Sequence, residues 1–214
     1  MEGRFSVKNI LLASGIGLLL MGAVSAQETP RFTFNVGAGF TQPVGATGKQ
    51  LNDGWNLGAG VGYNFHPRFG ALVQFSDTRS DINTATLNML GFPGGNVNVW
   101  SLTLDPIVHT NPRGPVDLYF IGGGGLYNWR QEFTEPGIGT FTGFDPFFGF
   151  FQAEVPTTNV LSSYSVNKPG VNGGMGLAFG TRWKLKFYAE ARYHRIIFGN
   201  FHADMVPVTF GVRW

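Results

Sequence analysis

The sequence predicts an all-β fold, an eight-stranded antiparallel up-and-down transmembrane β-barrel. Three observations predict it. Eight segments alternate apolar with small or polar residues at a period of two, the signature of strands with one apolar face. The connections between them are long and short by turns, as in a meander barrel with loops on one side and tight turns on the other. Only 13% of residues are charged, against about a quarter in ordinary soluble domains, so something other than water covers much of the surface.

Residues 1–26 read as a signal peptide and are set aside from the fold. Arg4 and Lys8 make a basic start, Ile10 to Val24 is apolar apart from Ser and Gly, and Val24-Ser25-Ala26 is a small-x-small cleavage site. The apolar run is shorter than the roughly 20 residues a membrane-spanning helix needs, so the expected mature chain is the exported segment 27–214. There is no cysteine, which removes lipoprotein processing and any disulfide framework. Without Glu2, Arg4 and Lys8 the chain carries one net positive charge, and no basic arm remains to suggest nucleic acid.

The segments justify themselves in order. The first, 31–41, sets Phe32, Phe34, Val36, Ala38 and Phe40 against Thr33, Asn35, Gly37 and Gly39. The second, 54–65, sets Trp55, Leu57, Ala59, Val61, Tyr63 and Phe65 against Asn56, Asn64 and three glycines. The third, 68–76, alternates Phe69, Ala71, Val73 and Phe75 with smaller or polar partners, and the fourth, 99–108, sets Trp100, Leu102 and Leu104 against Ser101, Thr103 and Asp105. In the fifth, 116–129, Leu118 and Phe120 oppose Asp117 and Tyr119, but the run Gly122 to Gly125 blurs the phase and leaves room for a bulge. The sixth, 170–183, sets Val171, Met175, Leu177 and Phe179 against Asn172, Gly174, Gly176 and Gly180. The seventh, 185–197, sets Leu185, Phe187, Ala189, Ala191 and Tyr193 against Lys186, Tyr188, Glu190, Arg192 and His194. The eighth, 206–214, sets Val206, Val208, Phe210, Val212 and Trp214 against Pro207, Thr209, Gly211 and Arg213. Strands of 10 or 11 residues, at roughly 3.3 Å each and tilted about 40°, span on the order of 25 Å, the height of an outer-membrane apolar band.

With strands such as GWNLGAGVGYNF and YFIGGGGLYNW and the closing FGVRW, the mature chain resembles the OmpA/OmpX-type eight-stranded outer-membrane β-barrels. The resemblance covers the whole mature chain. It implies a place in the outer membrane of a Gram-negative cell envelope, contact with outer-membrane lipid, and handling by the barrel assembly machinery. In that family an aromatic residue closing the last alternating strand is read as an insertion signal, which implies this role for Phe210, Val212 and Trp214.

Periodicity alone does not say which face is outside. With the apolar face inward, the outer surface would be mainly Gly, Asn, Thr and Ser, a poor solvent interface. With that face toward lipid, the same small residues line a narrow interior and make space for larger groups. Asp105, Asp117, Arg182, Lys186 and Arg213 then point inward near the periplasmic ends of five successive strands, with Glu190 and Arg192 higher up beside Tyr188 and His194. Buried charges persist when paired, so a cross-barrel network is expected to plug the lumen.

No catalytic, cofactor-binding or metal-ligating set emerges. Four scattered His without Cys give no ligand spacing, and the glycine run lacks the Lys-Ser/Thr and helix of a phosphate loop. Barrels of the lipid A deacylase type pair a His with a nearby Ser on a late strand. Here His194 is followed by Arg195 and Ile196, His202 by Ala203 and Asp204, and Ser162, Ser163 and Ser165 fall in a predicted loop. The reading is a non-enzymatic barrel without cofactor, structural or binding a surface through its outer loops. A lipid A-modifying enzyme and a narrow channel for small solutes are the alternatives.

The connection 130–169 is expected to be a long extracellular loop. It holds Phe141, Phe144, Phe147, Phe148, Phe150 and Phe151, too much apolar surface to stay solvated. The rings either pack together on strands that continue above the membrane, the favoured expectation, or form a patch for an extracellular ligand or surface.

Overall fold

The computed structural model describes residues 31–180 and 185–214. The signal-peptide assignment at 1–26 and the expected turn at 182–184 lie outside the described residues. Among those described, the strands are β1 (Phe32–Val44), β2 (Gly54–His66), β3 (Phe69–Asp81), β4 (Gly94–His109), β5 (Val116–Asp145), β6 (Gly149–Gly180), β7 (Lys186–Ile197) and β8 (His202–Arg213). Each pairs antiparallel with its chain neighbours, and β8 returns to β1 to close the barrel. Closure leaves no sheet edge to satisfy, which a β structure in lipid requires.

The alternation seen in the sequence is the inside–outside pattern of the wall. Phe32, Phe40, Trp55, Leu57, Phe75, Leu104, Phe120, Leu177 and Phe210 are exposed on the outer face, while Asn35, Thr41, Asn56, Gln74 and Thr103 are buried within. No bulge forms at Gly122 to Gly125: the pairing with β6 runs unbroken from Val116 through Gly125. Side chains would not fit there, because neighbouring backbone crowds in. A Cβ on Gly123 would stand 2.1 Å from the Leu104 carbonyl oxygen.

The two longest connections contain regular structure. Segment 130–169 forms a two-stranded ribbon, the strand continuation favoured from the sequence, because β5 and β6 stay paired from Val116–Phe179 to Asp145–Gly149, with one register shift between Phe133 and Thr134. Pro136 and Pro156 sit in strands that have no neighbour on their other side, the edge setting in which proline is tolerated. At the tip the Asp145 carboxylate accepts from the amides of Phe147 (2.7 Å) and Phe148 (3.0 Å), and Gly149 takes the positive φ of 81° that completes the turn. Segment 77–98 holds extensions of β3 and β4 around a short helix, α1 (Thr84–Leu90). Asn83 caps it by accepting from the Thr86 amide at 2.8 Å, and Gly91 ends it at φ 75°.

The interior is layered. A cluster with Leu72, Ile107, Tyr119 and Tyr188 fills the end where β2 meets β3 and β4 meets β5 by short turns. A second, with Leu51, Ile82, Leu87, Val97, Tyr127 and Met205, fills the ribbon end, with Trp129 and Phe198 packed against it. The ionic groups lie between.

Candidate functional site

Arg192 is the hub of the lumen. Its inward position on β7 sends one Nη to Asp105 on β4 (2.8 Å), the other to Gln74 on β3 (2.7 Å), and its Nε to Glu190 two residues away. Asp105 also accepts from Thr103 (2.7 Å) and Asn172 (2.8 Å), and Glu190 accepts from the Tyr119 hydroxyl (2.8 Å). Arg192, Asp105 and Glu190 are all under 5% exposed. Charges this deep persist because nearly every donor and lone pair is met, the condition under which attraction offsets lost hydration. Beside Arg192 and His194 lies a cavity of about 20 Å³, room for a single water.

The structure regroups the residues that sequence order had placed together. Asp105 does not face Lys186 and Arg213 at the turn end; it belongs to the Arg192 cluster. Asp117 instead accepts from the Asn111 amide at 2.9 Å and contacts His109. Lys186 donates to the Pro112 carbonyl at 2.7 Å. Arg213 lies over the rings of Tyr119 (4.6 Å) and Tyr188 (5.3 Å), a cation–π arrangement. Arg182 lies outside the described residues. Strand tilt and stagger are the cause: rank along a strand does not give height in a barrel whose registers are sheared.

His194 is hydrogen-bonded through Nδ1 with the Tyr127 hydroxyl at 2.9 Å. Ser162, Ser163 and Ser165 stand on the exposed part of β6, away from it. His202 opens β8 and lies 3.2 Å from the Asp204 carboxylate. Among the described residues no group of three or more His, Asp or Glu is placed to hold a metal ion.

The ribbon is the other distinctive feature. Its phenylalanines do not gather into one cluster, because period-two alternation sends them to opposite faces. Phe144 and Phe150 are cross-strand partners whose centroids are 5.1 Å apart, and Phe141 and Phe151 meet at 6.5 Å on the other face. Phe147 and Phe148 in the turn are 91% and 89% exposed. On β8, Phe210 is exposed on the outer wall and Trp214 stacks on Phe34 with centroids 6.0 Å apart.

A closed antiparallel meander with an apolar outer wall and a filled, ion-paired lumen is the architecture of a membrane barrel. The profile of the outer membrane protein beta-barrel domain matches residues 14–213. The chain belongs to this family. It is an outer-membrane protein that crosses the bilayer with strands, and the family's OmpA/OmpX-like character noted from the sequence stands. Among solved structures it is similar to Neisserial surface protein A at 15% identity and a TM-score of 0.56, over 87% of this chain and 98% of that one. It is also similar to Ail of Yersinia pestis (19% identity, TM-score 0.46, 86% and 97% covered) and to OprG of Pseudomonas aeruginosa (11%, 0.48, 89% and 99%). No curated protein matches the sequence. At such identities the likeness is one of fold.

Within this outer-membrane barrel, several lumen partners escaped the sequence reading. Gln74, Asn172 and Tyr119 complete the Arg192 cluster from three other strands. Their inward parity was legible; their convergence on one guanidinium was not. Tyr119 fits because Gly176 faces it: a Cβ there would come within 2.4 Å of the ring.

Proposed function

We propose that this outer-membrane barrel is non-enzymatic and sealed, and that it acts outside the cell by binding a surface or ligand through the β5–β6 ribbon. The observation that carries the reading is the ribbon itself. It continues past the barrel from Thr134 to Asp145 and back, a reach of roughly 35 Å at about 3.3 Å per residue. Its tip bears six phenylalanines, two of them almost wholly exposed. A segment of this length and composition is not needed to join two strands, and exposed apolar patches mark interaction sites.

Residues 1–26 direct export and are removed, which leaves the start of β1 in the periplasm. Five strands later the chain is outside, so the ribbon and α1 face the surroundings and the short turns face the periplasm. Phe210, Val212 and Trp214 on the outer face of β8 serve as the insertion signal read by the barrel assembly machinery.

The test replaces 134–160 with an Asn-Gly turn joining Phe133 to Leu161. The shortened protein is expected in the outer membrane as a heat-modifiable barrel, with adhesion of cells to host matrix or to other cells lost. Protease added to intact cells is expected to cut the unmodified ribbon. Adhesion that survives the deletion, or a ribbon that protease cannot reach, overturns the reading.

A further inference from the structure

The outer wall carries a cleft that neither the lumen nor the ribbon tip accounts for. It measures about 760 Å³ and is lined by Phe75, Asp77, Arg79, Asn96, Asn98, Trp100, Asn128, Arg130, Glu132 and Ser165. It is an open depression in the wall rather than an enclosed pocket.

Register makes the cleft a set of rows across β3, β4, β5 and β6. The lowest outward row is Phe75, Leu102 and Leu126; the next is Asp77, Trp100 and Asn128; above it lie Arg79, Asn98, Arg130 and Ser165, and then Asn96 with Glu132. One outward face therefore passes from apolar to polar within a single row, at Trp100. Phe75 and Trp100 stack at 6.4 Å beneath the polar groups. An occupant must be amphiphilic, with chains beside Phe75 and a head beside the amides.

The head's chemistry follows from the lining. Two carboxylates, Asp77 and Glu132, balance two guanidiniums, Arg79 and Arg130, and Arg130 is already paired with Glu132 at 2.7 Å. The cleft has no net charge to select a phosphate or a cation. It offers donors and acceptors in fixed pairs, with Asn128 itself held by Ser165 (3.0 Å) and Asn167 (2.7 Å), and an indole face below. Amides and carboxylates suit vicinal hydroxyls, and the ring suits the apolar face of a pyranose.

We infer that this cleft binds the saccharide head of a glycolipid in the outer leaflet, its acyl chains lying along Phe75 and Leu102. The outer-leaflet placement rests on the orientation proposed above; the saccharide specificity does not.

The test uses the full barrel in nanodiscs. Native mass spectrometry and competition with a fluorescent lipopolysaccharide measure binding of three probes: lipopolysaccharide with a short defined core, phosphatidylethanolamine alone, and the same core saccharide cleaved from its lipid. Lipopolysaccharide is expected to bind stoichiometrically, at least tenfold tighter than the free saccharide, and phosphatidylethanolamine not to compete. Asp77→Asn and Asn98→Ala, both expected to keep the heat-modifiable fold, should each weaken it at least tenfold. Equal competition by phosphatidylethanolamine, equal binding of the free saccharide, or unchanged affinity in both variants would each overturn the proposal. Orientation is read separately from protease cleavage of the ribbon, so the two ideas fail independently.

Discussion

Trp214 and Phe34 complete the barrel seam as a reciprocal pair. The Trp214 amide donates to the Phe34 carbonyl at 3.0 Å, the Phe34 amide donates back to Trp214 at 2.9 Å, and the two rings stack on the outer wall. The pair extends the β1–β8 ladder beyond Asn35 and Arg213. The indole proposed above as an insertion signal is thus also a part of the closed wall, and the two roles make different predictions.

Trp214→Ala keeps both backbone bonds and removes only the ring. The amount of folded protein in the outer membrane is expected to drop several-fold, while barrel refolded in detergent loses only about 1 kcal/mol, the scale of one aromatic pair. Trp214→Phe should restore the membrane level. Quantitative heat-modifiability gels and urea titration separate the two effects; equal losses in both would assign the residue to stability alone.

Arg192→Met leaves Asp105 and Glu190 buried without their cation. A loss of about 3–5 kcal/mol in urea unfolding is expected. Glu190→Gln should cost less, because Asp105 still holds Arg192. The triple variant with Arg192→Met, Asp105→Asn and Glu190→Gln should recover much of the loss, since no charge is then stranded. A triple variant no more stable than Arg192→Met would show that shape, not charge, governs the cluster.

Gly176→Ala puts a methyl 2.4 Å from the Tyr119 ring and 2.9 Å from the Ala189 carbonyl. Overpacking of this kind costs about 1–3 kcal/mol. In a Tyr119→Leu background the same change should cost at least about 1 kcal/mol less, a coupling that a double-mutant cycle measures. Strict additivity would remove Tyr119 as the cause.

Two apolar layers enclose an ionic one, and the cavity at Arg192 admits about one water. The purified protein is therefore expected to show no steady ion conductance in planar bilayers. Opening the lumen by Arg192→Ala together with Tyr127→Ala should raise conductance above that baseline. A large, stable conductance of the unmodified protein would restore the narrow-channel alternative.

The wall of this protein was legible in its sequence because strand alternation is local. Val208, Phe210 and Val212 against Thr209, Gly211 and Arg213 divide the strand into an apolar and a polar face without reference to any other strand. Parity also placed Asp105, Glu190 and Arg192 inside, since a period of two admits one answer once the outer face is known. Height in the lumen needs more. It depends on the stagger accumulated around a closed, tilted sheet, and only the tertiary structure brought Asp105 on β4 and Gln74 on β3 to Arg192 on β7. Ribbon and loop likewise shared one composition at 130–169 until pairing was seen. Threonine, proline and phenylalanine there fit either state, and it is the ladder between β5 and β6, a relation between distant residues, that made the segment two strands and sent its phenylalanines to opposite faces.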